Sequence, residues 1–363
     1  MGDLGENRKR NKVMLKGNFR KNGFELWRHN FTAYSKSSGD QKTFFIEFYM
    51  LNPAVSPDEI SFENNQTVAK KEGKPSFLMV KAGYWGPNGK QFHAFLPISK
   101  MQYNKHKLNI RADNFLLTET ELFGAIEVLP TEMKLHPEYL TDSGVMKWKI
   151  KMDKKIAFLP KKLKIVPPSF WYVQGAKTMY GGAIILDGEE YAVVPQKSYG
   201  HADKFWGRDF PDPFVWLSSC NLISIISGSY LPSSCFDLSG TFYDEKHNSF
   251  NVFFCQQNQS YSFSSKNSKI KCIYSENDEF CHWQITAENK KNLLDVDIFS
   301  RKRDMVPMKY MNSRGTITFE KFLSGGNGSG EIRLYKKVNR TLEIMEHARV
   351  ENCACEFASN SQR

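Results

Sequence analysis

The sequence has no cysteine before Cys220, no Cys-x-x-Cys pair, and no apolar run long enough to cross a membrane as a helix. Each absence removes a class of protein. The seven cysteines (Cys220, Cys235, Cys255, Cys272, Cys281, Cys353 and Cys355) are odd in number and irregularly spaced, which argues for reduced thiols and against a disulfide framework or structural zinc. The charged N-terminus lacks the apolar core of a secretion signal. The best apolar stretch, 214–226, is short and broken by Ser218, Ser219, Asn221 and Ser224. A soluble, cytoplasmic protein is the expectation.

Catalytic signatures are missing too. There is no Gly-x-Ser-x-Gly elbow, no His-Glu-x-x-His and no Walker sequence, and the eight histidines are scattered. This excludes the common signatures of hydrolases, kinases and metalloenzymes, and no metal site is expected. Sustained 3.6-residue periodicity is nearly absent, which excludes a helical bundle.

What is present is aromatic and strand-like. Hydrophobic residues make up 40% and aromatic residues 14% of the chain, enough apolar surface to exclude disorder despite a mean hydropathy of −0.50. Short runs bounded by Gly, Pro, Asn or Asp recur throughout, among them Thr43–Leu51, Ser76–Ala82, Glu121–Leu129, Phe250–Cys255 and Cys281–Ala287. Many short strands with turn signals predict an all-β protein of barrels or sandwiches. The run Lys147-Trp148-Lys149-Ile150-Lys151-Met152 alternates cation and apolar side chain, predicting a strand with Trp148, Ile150 and Met152 buried.

The net charge of +11 is concentrated. Residues 1–22 carry +5 and residues 144–164 carry +7, leaving the rest of the chain near −1. Lysine outnumbers arginine 37 to 13, whereas readers of bases and phosphates lean on arginine forks, so no nucleic-acid partner is expected. The lysines of 147–151 read first as a solvated strand face that discourages edge pairing. Contact of the Lys-rich segments with an anionic membrane surface or an acidic partner is the alternative.

The stretch 196–213, rich in Gly, Pro, Asp and charge, reads as a loop between two β domains, residues 1–200 and 210–363. The glycine-rich tract at 324–330 reads as a second, flexible loop.

Two segments hold more functional residue types than a core requires. One is Phe24-Glu25-Leu26-Trp27-Arg28-His29; the other runs from His201 to Pro211 and continues into alternating Phe214, Trp216, Ser218 and Cys220. Aromatics, carboxylates and a histidine on an inter-domain segment match the usual place of a ligand pocket; interface packing and turn formation are the alternative.

These segments resemble the tocopherol cyclase family. Phe24, Glu25 and Trp27 match its Phe-Glu-Gly-Trp-Tyr-Phe element, with Leu26 in place of the glycine. Ser198-Tyr199, Asp203-Lys204-Phe205-Trp206-Gly207 and Phe210-Pro211 correspond to its Ser-Tyr, Glu-Lys-Asn-Trp-Gly and Phe-Pro elements. Trp283-Gln284-Ile285-Thr286-Ala287-Glu288-Asn289 is similar to its Trp-x-Ile-Thr-Ala-Glu-Asn stretch, and Gly330-Glu331-Ile332-Arg333-Leu334 extends the likeness to most of the chain.

The resemblance implies two tandem lipocalin-like antiparallel β-barrel domains, shared with carotenoid hydratase-like proteins. It also implies a lipophilic, prenylated small-molecule ligand and an acid-catalysed ring closure that needs no redox change and no cofactor. That chemistry requires a proton donor, a dry pocket and stabilisation of a developing tertiary cation. A carboxyl buried beside aromatics could keep its proton near neutral pH, which makes Asp203 the first candidate acid, with Glu25 and Asp209 behind it. His201 could orient the phenol or relay its proton. Trp27, Trp206 and Trp216 could face the cation, with Phe214, Asp209 and Tyr199 lining the substrate site. Departures accompany these matches. Asp203 and Phe205 stand where the family has Glu and Asn, and its Trp-x-Trp-x-Gln-x-Asn becomes Phe214, Trp216, Ser218 and Cys220. The lost amides are the groups best suited to bind a phenol head. A non-catalytic lipocalin-like lipid binder or carrier is the alternative.

Overall fold

Lys147 to Met152 folds as its alternation predicts: Trp148, Ile150 and Met152 are buried and Lys147, Lys149 and Lys151 are exposed. The computed structural model describes residues 9–55, 73–135, 137–158, 169–242 and 248–360, so residues 1–8 and 159–164 of the two basic segments lie outside the described residues.

A first sheet of twelve strands is built from β1 (Phe24–Ser35), β2 (Gln41–Leu51), β3 (Phe77–Trp85), β4 (Lys90–Pro97), β5 (Met101–Tyr103) and β6 (Asn109–Ala112). It is completed by β7 (Phe115–Thr118), β8 (Glu121–Val128), β9 (Gly144–Phe158), β10 (Ser169–Leu186), β11 (Glu189–Val193) and β12 (Gly200–Gly207). The order is β4-β3-β2-β1-β11-β10-β9-β8-β7-β6-β5, with β12 paired to both β1 and β10.

A second sheet of eleven strands contains β13 (Phe214–Ser219), β14 (Asn221–Ser224), β15 (Cys235–Phe242), β16 (Asn248–Gln256), β17 (Gln259–Ser264) and β18 (Lys269–Glu276). Its remaining strands are β19 (Phe280–Glu288), β20 (Asn292–Arg301), β21 (Met305–Pro307), β22 (Lys321–Val338) and β23 (Thr341–Ser359). The order is β17-β16-β15-β13-β23-β22-β20-β19-β18, with β14 on β23 and β21 on β22. Every pairing is antiparallel, as the all-β reading requires. Among the described residues, no helix is long and apolar enough to cross a membrane.

Each sheet curls around its own apolar filling. Trp27, Phe31, Phe48, Trp148 and Trp206 fill the first; Val215, Leu217, Phe254, Trp283 and Cys353 fill the second. A third apolar layer joins the sheets through Phe24, Tyr49, Phe205, Phe210, Phe214, Trp216, Tyr310 and Phe322.

Two expectations are overturned. Residues 200–207 are not part of a loop but a fully buried strand, β12. Its charges mislead because Asp203 and Lys204 point to opposite faces and each finds an opposite charge there. The glycine-rich tract 324–330 is also strand, within β22. Its glycines allow close approach: a Cβ at Gly330 would strike the carbonyl of Asp297, and one at Gly326 would strike the Trp85 ring of the first sheet.

Candidate functional site

β1 and β12 are hydrogen-bonded neighbours with two buried faces. Alternation sends Glu25, Trp27, His29 and Phe31, with Lys204 and Trp206, into the first sheet's hollow. Arg28, His201 and Asp203, with Phe24, Leu26 and Phe205, face the second sheet. The residues anticipated from sequence therefore divide. Asp203, His201, Phe214 and Trp216 come together in the layer between the sheets, while Glu25, Trp27 and Trp206 lie across the β1–β12 ladder from them. Tyr199 is half-buried with its ring against Tyr230 at 5.9 Å, and Asp209 is half-buried past the end of β12.

The hollow is filled by the chain's own N-terminal segment. Lys204 Nζ is ion-paired with Glu25 and donates to the carbonyls of Arg10, at 2.9 Å, and Lys12. Glu25 accepts the backbone N–H of Met14 at 2.7 Å and of Leu15 at 3.1 Å, and Trp27 Nε1 donates to the Asn11 carbonyl at 2.7 Å. Burial lowers the Lys204 ammonium to about 8 against the attraction of Glu25, and burial raises Glu25 against Lys204. Nζ lies 4.8 Å from the Trp27 ring and 5.2 Å from that of Trp206, so a cation belonging to the protein already occupies these two indoles. Replacing Lys204 with Met strands Glu25 and should lower the unfolding free energy in urea by about 3–5 kcal/mol, whereas Lys204→Met with Glu25→Leu should recover most of it.

Between the sheets the first sheet presents a row of alternating charge. Asp203, Arg28, Glu47 and Lys81 stand directly opposite one another across β12, β1, β2 and β3, and the row ends on β4 at His93, whose charged form is disfavoured by burial and by Lys81. Arg28 forms a fork on Asp203, with Nε to Oδ1 at 2.9 Å and Nη2 to Oδ2 at 2.7 Å, while Trp171 Nε1 donates to Oδ2 at 2.6 Å. Both carboxylate oxygens of Asp203 are thus acceptors of N–H groups. From the second sheet, Glu356 on β23 accepts Arg28 Nη1, and Ser324 Oγ donates to its other oxygen at 2.9 Å. Tyr310 donates to Glu47 at 2.6 Å, and Lys81 Nζ lies 3.9 Å from Glu47 Oε2.

Burial sets the proton affinities here. It pushes the Glu356 carboxyl up to about 7, with Arg28 opposing and Glu47 reinforcing the shift. Burial lowers Lys81 to about 8 against Glu47 and Glu356. Arg28 is held above its ordinary range: burial works against the charge, and Asp203 and then Glu356 outweigh it.

A second constellation adjoins the first. The Trp216 ring carries the Arg28 guanidinium at 3.8 Å on one side and has the His201 ring at 5.6 Å. His201 Nε2 is 2.5 Å from Asp237 Oδ1. Burial raises the Asp237 carboxyl, with His201 opposing. Ser218 and Ser239 stand opposite Asp237 and Trp216 in the β13–β15 ladder. Among the described residues, Ser239 Oγ, Trp216 Nε1 and His201 Nδ1 are buried here without a hydrogen-bond partner. Orphaned polar atoms gathered in one place are the mark of a site that receives a polar group. Among the described residues, no group of three His, Cys, Asp or Glu side chains is arranged to hold a metal ion.

No protein-family model matches the sequence, and no curated protein is detectably similar to it. Solved structures do match. A Nitrosomonas europaea protein described as an AttH candidate is 10% identical, with 96% of this chain and 98% of that one covered, at a TM-score of 0.51. CghA is 9% identical over 94% of this chain and 90% of its own, at a TM-score of 0.50. Kievitone hydratase of Nectria haematococca is 9% identical over 96% and 94%, at 0.48. The first of these likenesses, together with the two antiparallel sheets, shows a fold of paired lipocalin-like β barrels.

Several residues of the inter-sheet site escape sequence reasoning. Glu356, Glu47 and Lys81 are single charges inside apolar strand runs, Cys-Ala-Cys-Glu-Phe-Ala, Phe-Phe-Ile-Glu-Phe-Tyr and Leu-Met-Val-Lys-Ala. That pattern is the signal that could have found them, since a strand buried on both faces accepts a charge only with a partner. Asp237, in Cys-Phe-Asp-Leu, carries the same signal.

Proposed function

We propose that this protein binds a lipophilic small molecule between its two sheets and acts on it by acid catalysis, in the manner of a tocopherol cyclase-like isomerase. The observation that carries the reading is Glu356, a fully buried carboxyl raised to about 7 in an aromatic layer, so that it holds its proton over part of the neutral range. The acid role passes from Asp203, whose oxygens accept three N–H groups from Arg28 and Trp171 that can only donate, to Glu356, whose Oε1 meets the Ser324 hydroxyl, a group able to accept the carboxyl proton; Asp203 becomes the anchor that positions Arg28. Ser239 Oγ and His201 Nδ1, buried without a partner, receive the ligand's polar head beside Asp237 and Ser218, and Phe205, Phe210, Phe214 and Phe322 meet its apolar part.

On a prenylated hydroquinone the Glu356 proton adds to the alkene carbon, leaving a tertiary cation. The phenol oxygen bonds to that cation, and the phenol proton returns to the carboxylate. Substrate and product are isomers, and no electron is gained or lost. Trp216 does not serve the cation in this scheme, because Arg28 covers its ring.

Incubation with a prenylated hydroquinone, with chromanol followed by mass spectrometry, tests the reading. Ring closure by the wild type supports it. Lipid retained in native mass spectra without conversion would instead assign the protein to the carrier class. In either case His201→Leu should weaken ligand retention about tenfold, because the head group loses a polar partner in a desolvated site.

A further inference from the structure

The outer face of the first sheet holds a feature that the inter-sheet site does not use. Leu116, Phe123, Lys149 and Ala183 stand side by side across β7, β8, β9 and β10, and the next row is Glu121, Lys151 and Gly181. Gly181 has no side chain to fill its place, and Pro195 stands beside it, 2.8 Å from where a Cβ would sit. A cleft of about 680 Å³ opens here, its apolar walls formed by Leu116, Phe123, Met179 and Pro195 and its cations by Lys149, Lys151 and Lys155. That volume lies in the range of small-molecule sites. Phe123, in the wall, is 46% exposed, an aromatic side chain left in water.

The charges are not evenly matched. Lys155 is paired with Asp153, and Lys151 stands opposite Glu121. Lys149 has Phe123 on one side and Ala183 on the other, so no carboxylate faces it across either ladder. A cation beside an apolar trough is complementary to a molecule with an anionic head and a long apolar tail.

We propose that this cleft binds a single-chain anionic amphiphile, a long-chain carboxylate. The tail lies against Phe123, Leu116, Met179 and Pro195; the carboxylate meets Lys149, with Lys151 beside it. A bilayer surface is the poorer partner, because the exposed carboxylates Glu121, Glu127 and Asp153 share this face and a flat anionic sheet would meet them as well.

Titration of the full chain with oleate, with oleyl alcohol, and with vesicles of phosphatidylcholine and phosphatidylserine tests the proposal. Saturable oleate binding is expected, with oleyl alcohol about tenfold weaker for want of the charge. Lys149→Gln with Lys151→Gln, and separately Phe123→Ser, should each weaken oleate about tenfold, with circular dichroism unchanged because all three side chains are exposed. Unaltered oleate affinity in both variants, equal binding of oleyl alcohol, or association with anionic vesicles but not with oleate would each overturn it.

Discussion

Arg28→Met is expected to destabilise the protein by about 3–5 kcal/mol at pH 8, read from the urea midpoint, because it leaves buried carboxylates without their cation. Arg28 forks onto Asp203 from the neighbouring strand and reaches Glu356 from the other sheet, with Glu47 next in the row. Methionine can fill much of the volume but offers no donor. The deficit should shrink as the pH is lowered toward 5, since protonation of Glu356, whose carboxyl already sits at about 7, removes one of the stranded charges. Arg28→Lys should recover part of the loss at most, because an ammonium cannot serve both oxygens of Asp203 and Glu356 in the same geometry. A deficit that does not change with pH would point to lost packing against Trp216, where the guanidinium lies 3.8 Å from the ring, and not to charge.

Glu356→Gln is expected to lower ring closure by about 10²–10⁴-fold while ligand retention stays near that of the wild type, because the amide keeps the shape but has no acidic proton to give. In the wild type, turnover should be flat at acid pH and fall as pH rises through about 7, where Glu356 loses its proton. The same carboxyl links pH to stability. Its folded value is raised above the ordinary 4.5, so the folded state holds the proton more tightly than the unfolded chain does. Its contribution is therefore fully present below about 4.5 and is lost as the pH rises through about 7, a change of about 3 kcal/mol. Thermal unfolding of Glu356→Gln across pH 4–8 should lack this component. A variant with wild-type turnover would remove Glu356 from the chemistry.

Much of the fold could be read locally. The alternation at 147–152 fixed which side of β9 is buried, and short apolar runs bounded by turn residues located strands such as Thr43–Leu51 and Cys281–Ala287. Reading failed where two-sided burial hides alternation. β12 contains His, Asp and Lys within a fully buried strand and so looked like a loop, and the glycines of 324–330 looked flexible although they serve the close packing of β22. The candidate site was half legible. Asp203, His201, Phe214 and Trp216 lie on segments that do converge, but Glu25, Trp27 and Trp206, on the same segments, point the other way, because neighbouring residues of a strand face opposite sides.

The sequence by itself determined an all-β chain, the facing of its alternating strands and the concentration of its positive charge, because each of these follows from near neighbours in the chain. Only the tertiary structure decided which charges are partners and where proton affinities shift. Arg28 and Glu356 are separated by 328 residues, and neither the desolvation that raises the carboxyl nor the guanidinium that opposes it exists until the two sheets close on one another.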